Sequence, residues 1–350
     1  MSTFSIVVPV YKNEGSIERL LDAVGVLQDG LSELNLDLEL VVVIDGSPDR
    51  CYEIVQERLP TLDYRCELVA HSRNFGSFAA IRTGLAHASG DYFGVLAADL
   101  QEPPELMIDF ARNLLADDCD VVVGRRVDRN DSATTVGSSR LFWWLYRRFI
   151  LPEMPPGGVD IFGCTGEFRE RLLDLEESRT SLVGLIFWLG FQRKEVEYTR
   201  LVRQEGRSAW TLRKKLSYVG DSVFSFTDYP IRLLLALGFF GTILSVLIGL
   251  VVIATRITGN IEVPGYAALM LVTLVFGSLM VFGVGLVGEY SWRTYENTKQ
   301  RPSAVVARVE TNGVPSVKRR GLIAVDSIST TDEDQQVDDD DIDKDERAAA

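Results

Sequence analysis

Histidine is almost missing from this chain: two residues in 350, His71 and His87. That is too few for a histidine-based metal centre, and both are read as incidental. Cysteine is scarce as well. Cys51, Cys66, Cys119 and Cys164 lie far apart with no C-x-x-C pair, which excludes that motif's chemistry and fits reduced thiols in a cytosolic domain. A basic leader is lacking before "MSTFSIVVPVYKNE", and Pro9 and Lys12 cut the apolar run short. The stretch reads as a first strand, not a signal peptide. Excess positive charge is also absent, so nothing points to a nucleic-acid partner. The formal charge of −14 is concentrated at one end: residues 321–350 hold eleven acids, two bases and no aromatic. Such a run cannot bury enough apolar surface to fold and is expected to be a disordered tail.

Charge itself is missing from two long stretches, Leu233–Thr255 (23 residues) and Val263–Gly288 (26 residues). About 20 apolar residues span a bilayer as a helix, so both are read as membrane helices. The connecting "RITGNIE" is too short for a domain, which makes the pair a hairpin with both flanks on one side. Arg203, Arg207, Arg213, Lys214, Lys215 and Arg232 precede it; Arg293, Lys299, Arg301, Lys318, Arg319 and Arg320 follow it; the turn offers only Arg256. The positive-inside bias then places both termini in the cytoplasm. Just before the hairpin, Trp210, Leu212, Leu216, Val219 and Val223 recur at helical spacing among bases. Two readings stand: an amphipathic helix in the membrane interface, or an ordinary helix facing the core of the soluble domain.

What is abundant is alternation. "FSIVVPV", "LELVVVI", "CELVA", "DYFGVLA" and "DVVVG" are short apolar, β-branched runs. Helical patterns separate them at about Gly15–Leu34, Asp49–Leu59, Phe78–Ala88 and Pro104–Ala116. Nearly all-apolar strands divided by helices imply an α/β fold, a mostly parallel sheet covered on both faces. Ligands of such sheets sit beyond the carboxyl ends of the strands.

The polar residues cluster at those ends. The first strand finishes in "VPVYKNE", with Pro9 at the rim and Tyr11, Asn13 and Glu14 beyond it. The second finishes in "VVVIDGSPD": Asp45 leaves the strand, Gly46 permits a tight turn, and Ser47 or Asp49 can cap the next helix. Asp45 could accept hydrogen bonds from a base or ribose, or serve the turn alone. After the third strand, Arg73 and Asn74 precede a helix start, where a diphosphate finds a cation and free N–H groups. The fourth delivers "AADLQEPPE". Asp99 and Gln101 are two apart and would face one way along an extended rim, with Glu102 pointing elsewhere. Magnesium takes oxygen ligands and shares them with substrate phosphates.

In order and spacing, these motifs resemble family 2 glycosyltransferases with the GT-A nucleotide-diphospho-sugar fold. The similarity is greatest to the branch that glycosylates polyprenyl phosphate, which includes dolichyl-phosphate mannose synthases and bacterial undecaprenyl-phosphate enzymes. It covers about residues 4–308, including "RNFGSFAAIRTGLAHASGDY", "DLQEPPE", "RQEGRSAWTLRKKL", the hairpin and "GLVGEY…RP" after it; the hairpin favours the bacterial type. The resemblance implies a GT-A domain over 1–208, a juxtamembrane helix over 209–230 and membrane helices over 231–255 and 263–288. A cytoplasmic basic segment over 289–320 and the tail over 321–350 would complete the chain. It implies a nucleotide-sugar site of Pro9, Tyr11, Asn13, Glu14, Asp45, Arg73, Asn74 and Gly76, with Asp45 on the base. It implies Mg²⁺ or Mn²⁺ on Asp99 and Gln101, and a catalytic group of Asp99, Glu102 and Asp160 in which Glu102 or Asp160 orients the acceptor. Arg203, Ser208 and Lys214 or Lys215 would receive the lipid phosphate; the bottom-up alternative is that these bases only enforce topology. The partners implied are a nucleotide-diphospho-sugar, a polyprenyl phosphate, membrane lipids and, optionally, a second copy, all at the cytoplasmic membrane.

Four positions depart from the family's usual pattern. Ile44 stands where the first aspartate of "DDGS" is usual, Ala97 where "DAD" begins, and Ser77 where lysine often follows "RNFG". The run "GGVDIFGCTGEFRER" keeps Asp160 but puts Gly166 or Glu167 at the arginine position, with Arg169 nearby. All four fall on the donor side, so a family member that binds without turnover is the rival expectation. A processive polysaccharide synthase is not: two helices make no channel, and no Q-x-x-R-W motif is present.

Overall fold

The computed structural model describes residues 1–127, 144, 146–155, 158–175, 177, 180–201, 212–258 and 266–313. Residues 1–316 form one compact unit. The tail expected over 321–350 lies outside the described residues, as does the turn at 259–265.

The alternation of apolar strands and helices folds as expected. Strand β1 (Ser2–Val10) is followed by α1 (Glu14–Ser32), β2 (Leu36–Ile44), α2 (Cys51–Arg58), β3 (Arg65–His71), α3 (Ser77–His87), β4 (Tyr92–Val95), α4 (Leu106–Leu115) and β5 (Val121–Arg126). Then come β6 (Phe162–Thr165), α5 (Gly166–Asp174), α6 (Leu182–Trp188) and β7 (Arg193–Tyr198). One eight-stranded sheet results, in the order β7-β5-β6-β4-β1-β2-β3-β8, where β8 is Val306–Thr311. The pairs β1–β2, β1–β4, β2–β3 and β5–β7 are parallel; β6 runs antiparallel to both of its neighbours.

Period-two alternation divides the core. Phe4, Ile6, Val8 and Val10 of β1 join Leu40, Val42 and Ile44 of β2 on the face covered by α1, α2 and α4. Val7, Val41, Val43 and Val69 point to the other face, under α3, α5 and α6. With both faces buried, the central strands are mostly apolar, as a doubly covered parallel sheet favours; exceptions such as Ser5, Glu39 and Glu67 are buried and hydrogen-bonded or ion-paired. Pro9 interrupts nothing: β4 has ended its pairing with β1 at Val7, so the missing N–H is not needed there.

The helices at the two long uncharged runs differ from the expected limits of 231–255 and 263–288. Helix α7 (Leu212–Phe226) leads into α8 (Tyr229–Ile257), and α9 (Tyr266–Thr298) follows. Among the described residues, α8 and α9 are the two helices long and apolar enough to cross a membrane. Their apolar side chains, such as Leu235, Phe240, Val251 and Val281, are exposed, which water would penalise and a bilayer would not.

Two features alter the expected organisation. First, the end of α7 packs on the soluble domain: Val223 and Phe226 lie against the second core cluster, and the buried Ser222 accepts a hydrogen bond from the Tyr146 hydroxyl at 3.0 Å. The core-facing alternative therefore describes residues 219–226, while Trp210 lies outside the described residues. Second, the segment 289–320 is more than a basic tether. Its first part continues α9, where Arg293 pairs with Asp221 of α7 at 2.9 Å and Tyr290 meets Phe224 edge-on. Its later part supplies β8, antiparallel to β3. Glu310 of β8 accepts from the Tyr52 hydroxyl at 2.6 Å, and Asn312 caps the edge through Cys66 and Tyr64. The hairpin thus leaves from the domain and returns to its sheet.

Candidate active site

The carboxyl ends of β1, β2 and β3 converge through Asp45. Its carboxylate is buried at the end of β2 and accepts the Phe75 amide at 2.8 Å, the Gly76 amide at 2.8 Å and His71 Nδ1 at 2.9 Å. Burial works against its ionisation, but the hydrogen bonds from His71, Phe75 and Gly76 outweigh it and hold its pKa below the ordinary value. His71 is not incidental. It is buried, its Nε2 meets Thr83 Oγ1 at 2.9 Å, and its ring stands edge-on to Phe75. With Nδ1–H donating to the carboxylate, Nε2 is free to accept from Thr83. Asp45 and the Gly76 amide, both expected on the nucleotide, thus hold each other and fix the β3–α3 loop. Sequence reasoning could not pair them, because the contact joins residues 31 apart. Gly46 explains the tightness: its φ is +57°, and a Cβ there would come within 2.3 Å of the Arg73 carbonyl carbon.

The loop so held presents Arg73 and Asn74, both exposed, just before α3, with the Arg73 guanidinium 4.0 Å from the Phe75 ring. Asp49 accepts from the backbone N–H of Cys51, the first residue of α2, as a helix-capping carboxylate does. With Ser47 it also ties the β2–α2 turn to the β1–α1 loop. Ser47 Oγ accepts from Lys12 N at 2.7 Å, Asp49 accepts from Glu14 N at 3.2 Å, and Glu14 accepts from Arg50 N at 3.3 Å. Tyr11 and Asn13 stay half-buried on that rim.

The second half of the site lies beyond β4. The rim is not extended there. Leu100 adopts φ 52° and its amide bonds the Ala97 carbonyl, so the chain turns at Asp99. The strand rule that sent Glu102 away from Gln101 therefore fails, and both side chains reach Arg200. Gln101 Oε1 accepts from the Arg200 guanidinium at 2.8 Å, and Glu102 Oε1 lies 3.4 Å from Arg200 Nε. Glu102 is 1% exposed, and neither carboxylate oxygen has a hydrogen-bond partner. Burial is the main reason that its pKa is pushed up to about 7; Arg200 opposes the shift, while Asp160 and Asp99 add to it. Buried, charge-coupled carboxyls of this kind concentrate at functional sites.

Asp160 reaches the same cluster from the approach to β6. It accepts from the Tyr198 hydroxyl at 3.2 Å and stands 3.8 Å from the Arg126 guanidinium. The three expected catalytic acids therefore come together, with three residues that sequence reasoning missed: Arg126, Tyr198 and Arg200. Arg126 ends β5, Tyr198 ends β7 and Arg200 follows it; the parallel β5–β7 pairing beside β6 brings Arg126 and Tyr198 to Asp160, while Arg200 meets Gln101 and Glu102. Arg169 goes elsewhere. It donates to the Leu85, Ala86 and Ala88 carbonyls at the end of α3, a helix C-terminus that favours a cation. Gly166 and Glu167 start α5.

Among the described residues, no group of three or more His, Cys, Asp or Glu side chains is placed to hold a metal. The donor set still fits a hard divalent cation. Asp99 offers a carboxylate and Gln101 an amide oxygen on one turn, and Mg²⁺ makes do with one or two carboxylates plus water and substrate phosphates. Of the lipid-phosphate residues, Arg203 and Ser208 lie outside the described residues. Lys214 and Lys215 fall in the first turn of α7. Leu201, which precedes these bases in sequence, donates its amide to the Gln101 carbonyl on this rim at 2.8 Å.

Comparison with known proteins gives the family. The sequence profile of glycosyl transferase family 2 matches residues 5–174. A bactoprenol glucosyl transferase of Shigella phage SfV is 30% identical over 305 residues, covering 86% of this chain and 97% of that protein. A prophage bactoprenol glucosyl transferase homolog of Escherichia coli K12 is 28% identical over 308 residues, covering 87% and 99%. A solved structure of glucosyl-3-phosphoglycerate synthase from Mycobacterium tuberculosis, in complex with Mn²⁺, UDP and glucosyl-3-phosphoglycerate, has a TM-score of 0.44 and 18% identity. It covers 63% of this chain and 80% of its own.

Proposed function

The chain belongs to glycosyl transferase family 2, and on that premise we propose that it is a membrane-anchored, inverting enzyme that moves a sugar from a nucleotide-diphospho-sugar to a polyprenyl phosphate. The relatives named for bactoprenol support the acceptor. One observation of the structure carries the reading. The rim that holds Asp99, Gln101 and Glu102 is hydrogen-bonded to Leu201, and in sequence the bases of 203–215 come next, ahead of α7 and the two long apolar helices. A donor site and a binding segment for an anionic lipid head group are thus joined end to end. Because the chain after the hairpin returns to the same sheet as β8, both flanks of the hairpin lie with the domain, on the side that the flanking bases assign to the cytoplasm.

In the reaction, a phosphate oxygen of the lipid attacks the anomeric carbon as the bond from that carbon to the nucleoside diphosphate breaks. The nucleophile is already an anion near neutral pH, so positioning and charge neutralisation matter more than proton abstraction. Arg73 and Asn74 stand at the α3 N-terminus, where a diphosphate meets free N–H groups. Arg126 and Arg200 place cations beside Asp160 and Glu102, on the side from which the acceptor segment arrives. Asp99 and Gln101 would hold Mg²⁺ or Mn²⁺, whose chemistry there is Lewis-acid neutralisation of the departing diphosphate. Arg200 holds the Gln101 amide oxygen at 2.8 Å, so a metal on that oxygen would compete with the guanidinium for it.

A second reading is favoured by Ala97, which withholds a carboxylate from the rim, and by Asp45, which is engaged internally: a member that binds nucleotide without turnover. A panel of UDP- and GDP-sugars with undecaprenyl phosphate, with and without Mg²⁺ or Mn²⁺, decides between them. Transfer is expected, and Asp99→Asn should lower it by on the order of 10²-fold if the lost stabilisation is ~3 kcal/mol. Transfer unchanged by Asp99→Asn would remove the metal role. Nucleotide binding with no transfer from any donor would establish the second reading, and rescue by Ala97→Asp with Ile44→Asp would trace its origin.

A further inference from the structure

The domain's surface carries large aromatic side chains that its packing does not use: Trp144 is 60% exposed, Phe149 45% and Trp188 62%. They lie on segments that meet the α7–α8 junction. Trp144 and residues 146–149 are helical, and the inner side of this turn is buried, with Tyr146, Ile150 and Leu151 in the second core cluster. Tyr146 is further pinned by its hydrogen bond to Ser222 of α7. The outer side therefore presents Trp144 and Arg148, one turn apart, with Phe149 beside them. The Phe149 ring stands edge-on to Tyr229, the first residue of α8, at 5.7 Å, and the Arg148 guanidinium lies 5.5 Å from that ring. Trp188 ends α6 one turn beyond Gly184. That glycine sits against Phe226, the last residue of α7; a Cβ on it would come within 2.3 Å of the Phe226 ring.

The patch is thus continuous with the point where the chain passes into its apolar helix. Tryptophan and other aromatic rings settle at head-group depth in a bilayer, apolar body inward and polar edge outward. An arginine among them reaches anionic head groups while its stem stays in the apolar layer. We propose that Trp144, Arg148, Phe149 and Trp188 form a membrane-docking face of the catalytic domain, seated in the head-group layer of an anionic bilayer. The contact at Tyr229 commits the face to lipid, because whatever surrounds the start of α8 also surrounds Phe149. Docking there holds the domain at a fixed height and tilt, so that its acceptor segment meets lipid phosphates at the depth where they lie. The inference rests on reading α8 and α9 as membrane-spanning.

The four native cysteines are buried, so an introduced one can be labelled selectively in the full-length protein. Trp144→Cys carrying an NBD fluorophore is compared with Phe240→Cys in α8 and Glu57→Cys on α2, whose side chain is 70% exposed. Each is reconstituted in vesicles of phosphatidylcholine and phosphatidylglycerol containing doxyl-labelled lipids. A blue-shifted label at 144 that head-group-proximal doxyl groups quench, beside a label at 57 that they do not, is the expected result. Adding Arg148→Glu and Phe149→Ser to the Trp144→Cys protein should restore the emission of a water-exposed label. A label at 144 as wet as that at 57, while deep doxyl groups quench the label at 240, overturns the docking face and leaves the hairpin standing. If the label at 240 is not quenched either, the membrane reading itself fails. A label at 144 that is blue-shifted in the vesicles but quenched by doxyl groups at no depth would mean that another copy of the chain covers the face, and would also overturn the proposal.

Discussion

Replacing Asp45 with asparagine keeps the shape of the side chain and removes the charge on which the donor side is built. The carboxylate accepts three hydrogen bonds, from the Phe75 amide, the Gly76 amide and His71 Nδ1. Asparagine has one oxygen. Kept towards Phe75 and His71, it turns its NH₂ group towards the Gly76 N–H, donor against donor, in a buried place. A hydrogen bond to a charged acceptor is worth about 1.5–3 kcal/mol, and a buried donor left unmatched costs about 1–3 kcal/mol. These terms overlap, so the expected loss is about 2–4 kcal/mol in the free energy that closes the β3–α3 loop. Hydrogen exchange of the Phe75 and Gly76 amides, read on the full-length protein in lipid nanodiscs, should accelerate by roughly 30- to 1000-fold, one decade per ~1.4 kcal/mol. Donor affinity should fall with it, because Arg73 and Asn74 ride on that loop. The pH dependence has a definite sign. A carboxyl whose folded pKa is depressed contributes stability above its ordinary value of 3.8 and loses that contribution as pH falls through the depressed value. Wild-type protection should therefore decline only below that ordinary value, and the variant should show no such decline from this site. Unchanged exchange at Phe75 and Gly76 in the variant would show that Asp45 does not hold the loop.

Three further outcomes follow from contacts elsewhere. Arg200→Ala strips Glu102 of its ion-pair partner; breaking a buried pair costs up to about 3–5 kcal/mol, and the loss should fall below that because Glu102 can take up a proton. Adding Glu102→Gln should return most of the lost thermal stability, and two additive effects would deny the pairing. Gly46→Ala should lower the melting temperature and raise the KM for donor, because φ is +57° and the new methyl meets the Arg73 backbone; a neutral result in both measurements would contradict that close approach. Deleting 306–350 removes β8 and leaves the β3 edge unpaired, so the unfolding temperature should drop. Deleting only 322–350 should change neither stability nor transfer, and a large loss of activity in that shorter truncation would assign the acidic tail a role.

Much of the fold was legible because its signals are local. β-branched runs such as "LELVVVI" and the glycine and proline punctuation between them mark strands and helices within a few residues of the observed ends. The uncharged runs located α8 and α9, although α9 continues to Thr298, ten residues beyond the expected end at Gly288. Residues at strand ends were legible as candidates for a simple reason: in a parallel sheet, the place where an apolar run stops is the ligand edge. Their partners were not. Asp45 looked like a nucleotide ligand, and its place in a buried latch needed His71 and Gly76 brought across from β3. Glu102 was turned the wrong way by strand alternation, because nothing local announces the left-handed Leu100 that breaks it. Arg169 was the nearest arginine in sequence to the position expected, yet α5 carries it to the end of α3.

What the sequence alone determined is the first five strands with the helices between them, the candidate ligand edge, the two long uncharged helices and the family, because periodicity, composition and motif spacing are properties of neighbouring residues. Tertiary structure decided which of those residues meet. "VARVET" carries little apolar signal, since β8 is an edge strand that shows most of its side chains to solvent; only pairing with β3 reveals it. Arg126, Tyr198 and Arg200 acquire a role only because β5 and β7 lie side by side beyond β6. Strand pairing and charge clustering are long-range contacts, whose free energy comes from burial and electrostatics across the sheet, and short-range patterns along the chain do not encode them.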